Sequence, residues 1–184
     1  MHLLLRKRVG AVLLAALLVA GCSREQPPNL VVIVVDTLRA DHLGCYGYAR
    51  PTSPHLDRFA AESVLFENAV ASSSWTAPSV ASLFTSVHPS VHGVTTFAAA
   101  LPASLPTLAE VFQRHGFRNT GLSANFVHVI ERKGFARGFH LFAELRRPAA
   151  AGEEEEFAGF VAADARLVTD HAVEAVRASR GAPF

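Results

Sequence analysis

Apolar and polar positions along this chain fall into two patterns, unbroken β-branched runs and stretches with helical spacing. Asn29-Leu30-Val31-Val32-Ile33-Val34-Val35-Asp36 is apolar until it closes on a carboxylate. A run apolar on both faces predicts a central strand of a parallel sheet, and ligands gather at the carboxyl ends of such strands. Thr37 to Tyr48 reads as a glycine-punctuated connection. Ser53-Pro54 opens a helix that continues to Glu62, and Val64 to Val70 predicts a second strand. After the Ser72-Ser73-Ser74 loop, Thr76-Ala77-Pro78-Ser79 starts another helix. Pro78 suits its first turn, and Val80, Leu83, Phe84 and Val87 share one face. His88 to Val94 reads as a loop, Pro106 to His115 as a helix ended by Gly116, and Phe117 to Ser123 as a strand with Asn125 just beyond. Gly134 to His140 is turn-rich and aromatic, and Glu153 to Glu156 is a solvated acidic face or helix start. Asp164 to Arg180 predicts an amphipathic helix aligning Val168, Ala172, Ala175 and Val176, stopped by Gly181. Ala182-Pro183-Phe184 resembles the start of a further strand. Strands alternating with helices predict an α/β layered fold.

The amino end follows a different logic. Arg6-Lys7-Arg8 precedes a short apolar stretch that reaches Val19-Ala20-Gly21-Cys22, the layout of a secretory signal. The apolar run is shorter than the ~20 residues of a membrane span. Cys22 after Ala-Gly resembles a bacterial lipobox, whose cysteine becomes the lipidated mature terminus. The expected organisation is a lipoprotein signal peptide over 1–21, a polar tether over 22–28 and an α/β domain over 29–184. The expected location is the bacterial cell envelope, outer membrane or periplasm-facing, held by the lipid anchor. Cleavage removes three basic and no acidic residues, so the formal charge moves from +1 to −2. The basic character was targeting, and no nucleic-acid footprint is left. With Cys22 lipidated, Cys45 is the sole remaining thiol and no intrachain disulfide forms.

Two positions concentrate the candidate chemistry. Asp36 closes a run predicted to be buried, where an unpartnered carboxylate is costly, and this points to a metal ligand. The alternative is a structural carboxylate bonded to backbone N–H groups. Thr76 stands at a helix start, where free N–H groups and the positive dipole end favour an anion. It is either a helix cap or a nucleophile facing a bound phosphate or sulfate group. His42, His55, His88 and Asn125 are read as surface or loop residues, and Cys45 as a small buried hydrophobe.

Over residues 29–184 the chain resembles the N-terminal half of a sulfatase-family enzyme of the alkaline phosphatase superfamily. The resemblance rests on Asp36-Thr37-Leu38-Arg39-Ala40-Asp41-His42-Leu43-Gly44-Cys45-Tyr46-Gly47, Ser53-Pro54-His55-Leu56-Asp57, Thr76-Ala77-Pro78-Ser79 and His92-Gly93, in one order. It implies an alkaline phosphatase-like layered fold, with a mostly parallel central sheet flanked by helices and truncated after its N-terminal half. Asp36 matches the family's first metal-binding aspartate and Thr76 its nucleophile position, with Arg39 and His92 as weaker substrate-binding candidates. Arg39 has Asp41 as an alternative partner, and His92 has a packing role as its alternative.

Three departures from the family pattern alter the expected chemistry. Threonine replaces the cysteine or serine that is oxidised to formylglycine, and its β-methyl group bars an aldehyde, so no formylglycine is expected. Val80 replaces the signature arginine, and Thr37 stands where many sulfatases carry a second aspartate. The resemblance therefore implies a hydrolase of sulfate or phosphate esters in which a divalent ion (Ca, Mn, Mg or Zn) on Asp36 and Thr76 activates the threonine hydroxyl. Anionic esters of a glycan, a lipid or a small molecule are the expected substrates. Alternatives are an inactive exported lipoprotein that binds an anionic glycan or partner, and a phospho-group transferase at the envelope. Other family ligands, including an Asp-His-Gly segment, are absent from these residues, so the 184 residues are expected to turn over little alone.

Overall fold

The computed structural model describes residues 27–125, 127–149, 160–179 and 183–184. The signal, Cys22, most of the tether, the acidic run at 153–156 and Gly181 lie outside the described residues.

Helices form where capping and apolar spacing agree. Helix α1 spans Pro54–Ala61 and α2 spans Thr76–Thr85. A single turn, α3, covers Pro89–His92, within the stretch expected to be loop. Helix α4, Leu108–Arg114, begins at a capping box in which Thr107 Oγ1 accepts the Glu110 N–H and the Glu110 carboxylate accepts the Thr107 N–H. Helix α5, Ala165–Ala178, is capped by Asp164, which accepts the Leu167 N–H at 2.8 Å. None of the described helices is long and apolar enough to cross a membrane.

Strand β1, Thr120–Ser123, pairs in parallel with β2, Leu141–Glu144, while β3, Arg146–Pro148, pairs antiparallel with β4, Phe160–Ala162. Gly121 is required in β1, because a Cβ there would lie 2.7 Å from the Phe142 ring and 3.0 Å from Phe139. Helices on a parallel pair give the α/β layering that the sequence predicts.

Two expected strands differ. Residues 29–35 are extended but join no ladder, and Val31 to Val35 are 55–81% exposed. Their one backbone hydrogen bond among the described residues runs from Leu30 N–H to Phe184 O, at 2.6 Å. A strand needs a neighbour within about 4.8 Å, and apart from the Phe184 carbonyl none of the described residues supplies one. Val64 to Val70 likewise forms no strand; Val64, Phe66 and Val70 are exposed, and the Phe66 carbonyl accepts the Tyr46 hydroxyl at 3.0 Å.

The core sits where α2 meets the connections on either side of it. Ala77, Ala81, Val94, Leu101 and Phe135 are buried together, with Trp75, Val80 and Phe84 packed around them. The buried face of α2 is therefore its small-residue face, while Leu83 stays 45% exposed. Small side chains let the helix backbone approach Phe135 closely.

Residues 36 to 53 form a compact loop fastened to α1 by Asp57. Its Oδ1 accepts the Cys45 N–H at 2.8 Å and the Ser53 hydroxyl at 2.9 Å, and Ser53 Oγ accepts the Gly44 N–H at 3.0 Å. A Cβ on Gly44 would meet Asp57 Oδ2 at 2.4 Å, so the glycine and the aspartate are required together. Cys45 is free and half-buried rather than a core residue.

Candidate active site

The extended run ends at Asp36, α2 begins at Thr76, and β1 is followed by Asn125. These three termini converge. Thr76 Oγ1 donates to the Asp36 carboxylate, lying 3.1 Å from Oδ1 and 3.0 Å from Oδ2. Asn125 Nδ2 donates to Asp36 Oδ2 at 3.0 Å. The residue at the cap position of α2 is Trp75, which makes no side-chain cap bond, and Thr76 is the first helical residue. Thr76 therefore spends its hydroxyl on Asp36 and not on capping the helix. Of the first-turn N–H groups, those of Thr76 and Ala77 lack an intrahelical carbonyl, Ala77 being wholly buried; Pro78 has no N–H and Ser79 donates to the Trp75 carbonyl at 3.4 Å.

The carboxylate is exposed, so the cost of burying it does not carry its assignment. What the structure shows is its convergence with Thr76 and Asn125. Asn125, read from sequence as a surface or loop residue, is the group that reading missed. Its Oδ1 accepts the His128 N–H at 2.8 Å, which folds the loop back and leaves only Nδ2 for the site. The sequence offered one signal, its place at the carboxyl end of a strand.

Arg39 donates through Nε to Asp41 at 2.9 Å on the surface, and the guanidinium holds the Asp41 carboxyl far below the usual carboxylate range. His92 is 1% exposed. Its Nδ1 accepts the Val94 N–H at 3.0 Å, so the ring proton is on Nε2, 3.1 Å from Ser82 Oγ. The imidazole thus braces α2 against the chain after α3.

Burial lowers the His92 pKa and the nearby His88 adds to the effect, while a hydrogen bond to the Pro78 carbonyl opposes it. A lowered folded-state pKa means that the unfolded chain binds the proton more readily. Stability is then full above the ordinary imidazole value near pH 6.5 and declines as pH falls below it. Urea midpoints measured at pH 7.5 and 5.5 should show the decline, and His92→Asn should make it shallower.

Thr37, next to Asp36, has φ +55, a left-handed conformation that a β-branched residue adopts only under strain. Thr37→Gly is expected to raise stability by about 1 kcal/mol in urea denaturation, because the strain is relieved.

The donor set is hard oxygen. A carboxylate and a hydroxyl on one side of a site fit Ca2+ or Mg2+ in kind and occupy one edge of the six or more positions such ions take. No cluster of three or more His, Cys, Asp or Glu able to hold a metal occurs among the described residues.

Comparisons with known proteins place the chain in a family. The family model described as Sulfatase matches residues 28–184. Human arylsulfatase A is 34% identical over 135 residues, covering 68% of this chain and 26% of that protein. The N-acetylgalactosamine-6-O-sulfatase of Bacteroides thetaiotaomicron is 36% identical over 81 residues, 39% of this chain and 16% of its own. Among solved structures, the phosphonate monoester hydrolase of Agrobacterium radiobacter superposes with TM-score 0.56 at 26% identity, over 66% of this chain and 27% of that one. A protein solved in complex with its substrate D-glucosamine-2-N,6-O-disulfate gives TM-score 0.67 at 20% identity, over 86% and 33%. The chain thus spans about a quarter of the length of the first of these relatives. With the alkaline phosphatase-like fold shared and the family model matching nearly all of the described residues, the chain belongs to the sulfatase family.

Proposed function

We propose that these residues form the N-terminal part of the catalytic domain of an exported, metal-dependent hydrolase of sulfate or phosphate esters, with Thr76 as nucleophile. The observation that carries this reading is the hydrogen bond from Thr76 Oγ1 to both oxygens of Asp36 at the start of a ten-residue helix. Asp36 orients the hydroxyl and draws on its proton. Asn125 fixes the carboxylate from the other side, so the hydroxyl oxygen keeps one direction. An anionic ester placed against the start of α2 would meet the Thr76 N–H and the positive end of the helix as its equatorial oxygens gain charge. Attack by Oγ1 forms the new oxygen bond at phosphorus or sulfur as the ester oxygen departs, and water then releases the threonine. Asp36 and Thr76 would hold a divalent cation, which lowers the hydroxyl pKa and offsets charge on the ester.

Threonine favours a phosphorus centre within this scheme, since oxidation of its β-carbon gives a ketone and no aldehyde hydrate. Assays on nitrophenyl phosphate, bis(nitrophenyl) phosphate, nitrophenyl phosphonate and nitrophenyl sulfate, each with Ca2+, Mg2+, Mn2+ or Zn2+, decide the ester and the ion. Turnover of the sulfate alone would remove the phosphoryl reading. Saturable binding of anionic glycans without any turnover would instead favour the inactive lipoprotein, and transfer to an acceptor hydroxyl the transferase.

Export and anchoring through Cys22 belong to the same proposal. Cys22→Ala is expected to abolish incorporation of radiolabelled palmitate and to move the protein from the membrane to the soluble fraction. Continued labelling of the variant would exclude this anchor.

A further inference from the structure

Positive charge gathers around the start of β1. Arg118 stands just before the strand, Arg114 and His115 end α4, and the His140 Nδ1 accepts the Asn119 N–H at 3.2 Å. All four residues are exposed. Arg177, exposed as well, is on the last turn of α5, six residues before Pro183, whose carbonyl accepts the Arg118 N–H at 2.8 Å. The nearest acids on those two helices, Glu110 and Glu174, lie about a turn back, and the Glu110 carboxylate is committed to the Thr107 cap. Basic residues in a last turn answer the helix dipole, which accounts for Arg114, His115 and Arg177. Arg118 and His140 precede strands, where the dipole is small.

The tether joins the domain at this same end. Leu30 N–H donates to Phe184 O at 2.6 Å and Asn29 Oδ1 accepts the Phe184 N–H at 3.2 Å, which sets Asn29 next to the start of β1. Cys22 is seven residues earlier, so a lipid on it keeps Asn29 within about 25 Å of a bilayer. Asp36, Thr76 and Asn125 meet at the opposite end of residues 30–36, roughly 20 Å farther at about 3.3 Å per residue. Two poses satisfy the tether. In one the basic end meets the headgroups; in the other the exposed run from Val31 to Val35 lies along them. Removing the signal leaves a formal charge of −2, so an anionic bilayer repels the protein as a whole and favours its positive end.

We infer that Arg114, His115, Arg118, His140 and Arg177 form a docking surface for anionic phospholipid headgroups, and that it stands the domain upright on the membrane with the Thr76 site turned away. The choice of a bilayer as partner rests on the Cys22 anchor proposed above. The lipid sets the distance and the arginines set the pose, each strengthening contact with such a surface about fivefold. An ester that reaches Thr76 then comes from the aqueous phase, not from the membrane that holds the protein.

Flotation with vesicles tests it, using the Cys22→Ala protein, which carries no lipid. It should bind vesicles of phosphatidylcholine and phosphatidylglycerol at about 7:3 in about 20 mM NaCl, lose most of that binding by about 200 mM, and ignore vesicles of phosphatidylcholine alone. Arg114→Gln with Arg118→Gln should weaken the binding about 25-fold. Arg50→Gln with Arg58→Gln, exposed in the loop and helix after Asp36, should leave it nearly unchanged. In the lipidated protein, energy transfer from Trp75, the chain's one tryptophan, to a dansyl headgroup probe should be weaker on the mixed vesicles than on the neutral ones. That difference should vanish in the Arg114 and Arg118 double variant. Equal binding to neutral vesicles, binding insensitive to salt, an equal loss in the Arg50 and Arg58 pair, or stronger transfer on the mixed vesicles overturns the docking surface. Binding to heparin and to neither vesicle also overturns it, in favour of an anionic glycan. Palmitate labelling of Cys22 with no salt-sensitive binding removes the surface and keeps the anchor; salt-sensitive binding without labelling supports the surface and removes the anchor.

Discussion

Thr76→Ala is expected to lower turnover of an anionic ester by about 10³-fold or more, in any preparation that shows turnover, with little change in melting temperature. Thr76 is half-buried and its side chain bonds only to the exposed Asp36, so truncation removes no core contact and opens no void. Thr76→Ser keeps the oxygen and the bond to Asp36 and should retain most of the activity. A covalent phosphate on residue 76, trapped by acid quench and read by mass spectrometry, should appear in the wild type and the serine variant and be missing in the alanine variant. Full activity in Thr76→Ala would take the hydroxyl out of the reaction altogether.

The largest loss of stability is expected at Phe135. Its side chain is wholly buried against Ala77 and Ala81 of α2, and its ring meets Phe84 edge-to-face with centroids 5.8 Å apart. Phe135→Ala should cost about 3–5 kcal/mol, because the transfer energy of the ring is lost and the rigid surroundings cannot close over the cavity. Against a total of about 5–15 kcal/mol for a whole domain, that is enough to leave much of the protein unfolded at 37 °C. Urea denaturation followed by the fluorescence of Trp75, which packs against the same cluster, would measure it. Phe135→Leu, which nearly keeps the volume, should lose far less.

Local signals carried much of the architecture. Pro54, Pro78, the Thr107–Glu110 box and Asp164 mark helix starts through their own backbone chemistry, and four of the helices begin within two residues of the expected positions. Strands fared differently, since a strand exists only through its neighbours. The run from Leu30 to Val35 has a strand's composition and lacks a ladder, while β2 forms in Leu141–Glu144 because β1 lies beside it. Apolar periodicity found only part of the buried face of α2. Of Val80, Leu83, Phe84 and Val87, Val80 and Phe84 pack on the core and Leu83 stays exposed, whereas the fully buried residues are Ala77, Pro78 and Ala81.

At the site, the pairing of Asp36 with Thr76 was legible because each stands at a chemically marked terminus, a strand end and a helix start. Asn125 was not, since its importance comes from a loop turned by its own side-chain carbonyl, which only the fold reveals. His92 carries a titratable ring in a sequence motif, yet both its nitrogens serve packing. Motif position alone does not separate those two uses of a histidine.

The loop that ties up the Asn125 carbonyl also decides which end of the amide dipole faces the pocket. Because that oxygen faces its own backbone, the amide presents its N–H end, and among the described residues Asp36 supplies the cluster's formal negative charge. A doubly charged ion seated on it would leave a surplus of one positive charge, which attracts an anionic ester. A monovalent ion would leave none, so occupancy by sodium or potassium should forfeit that attraction.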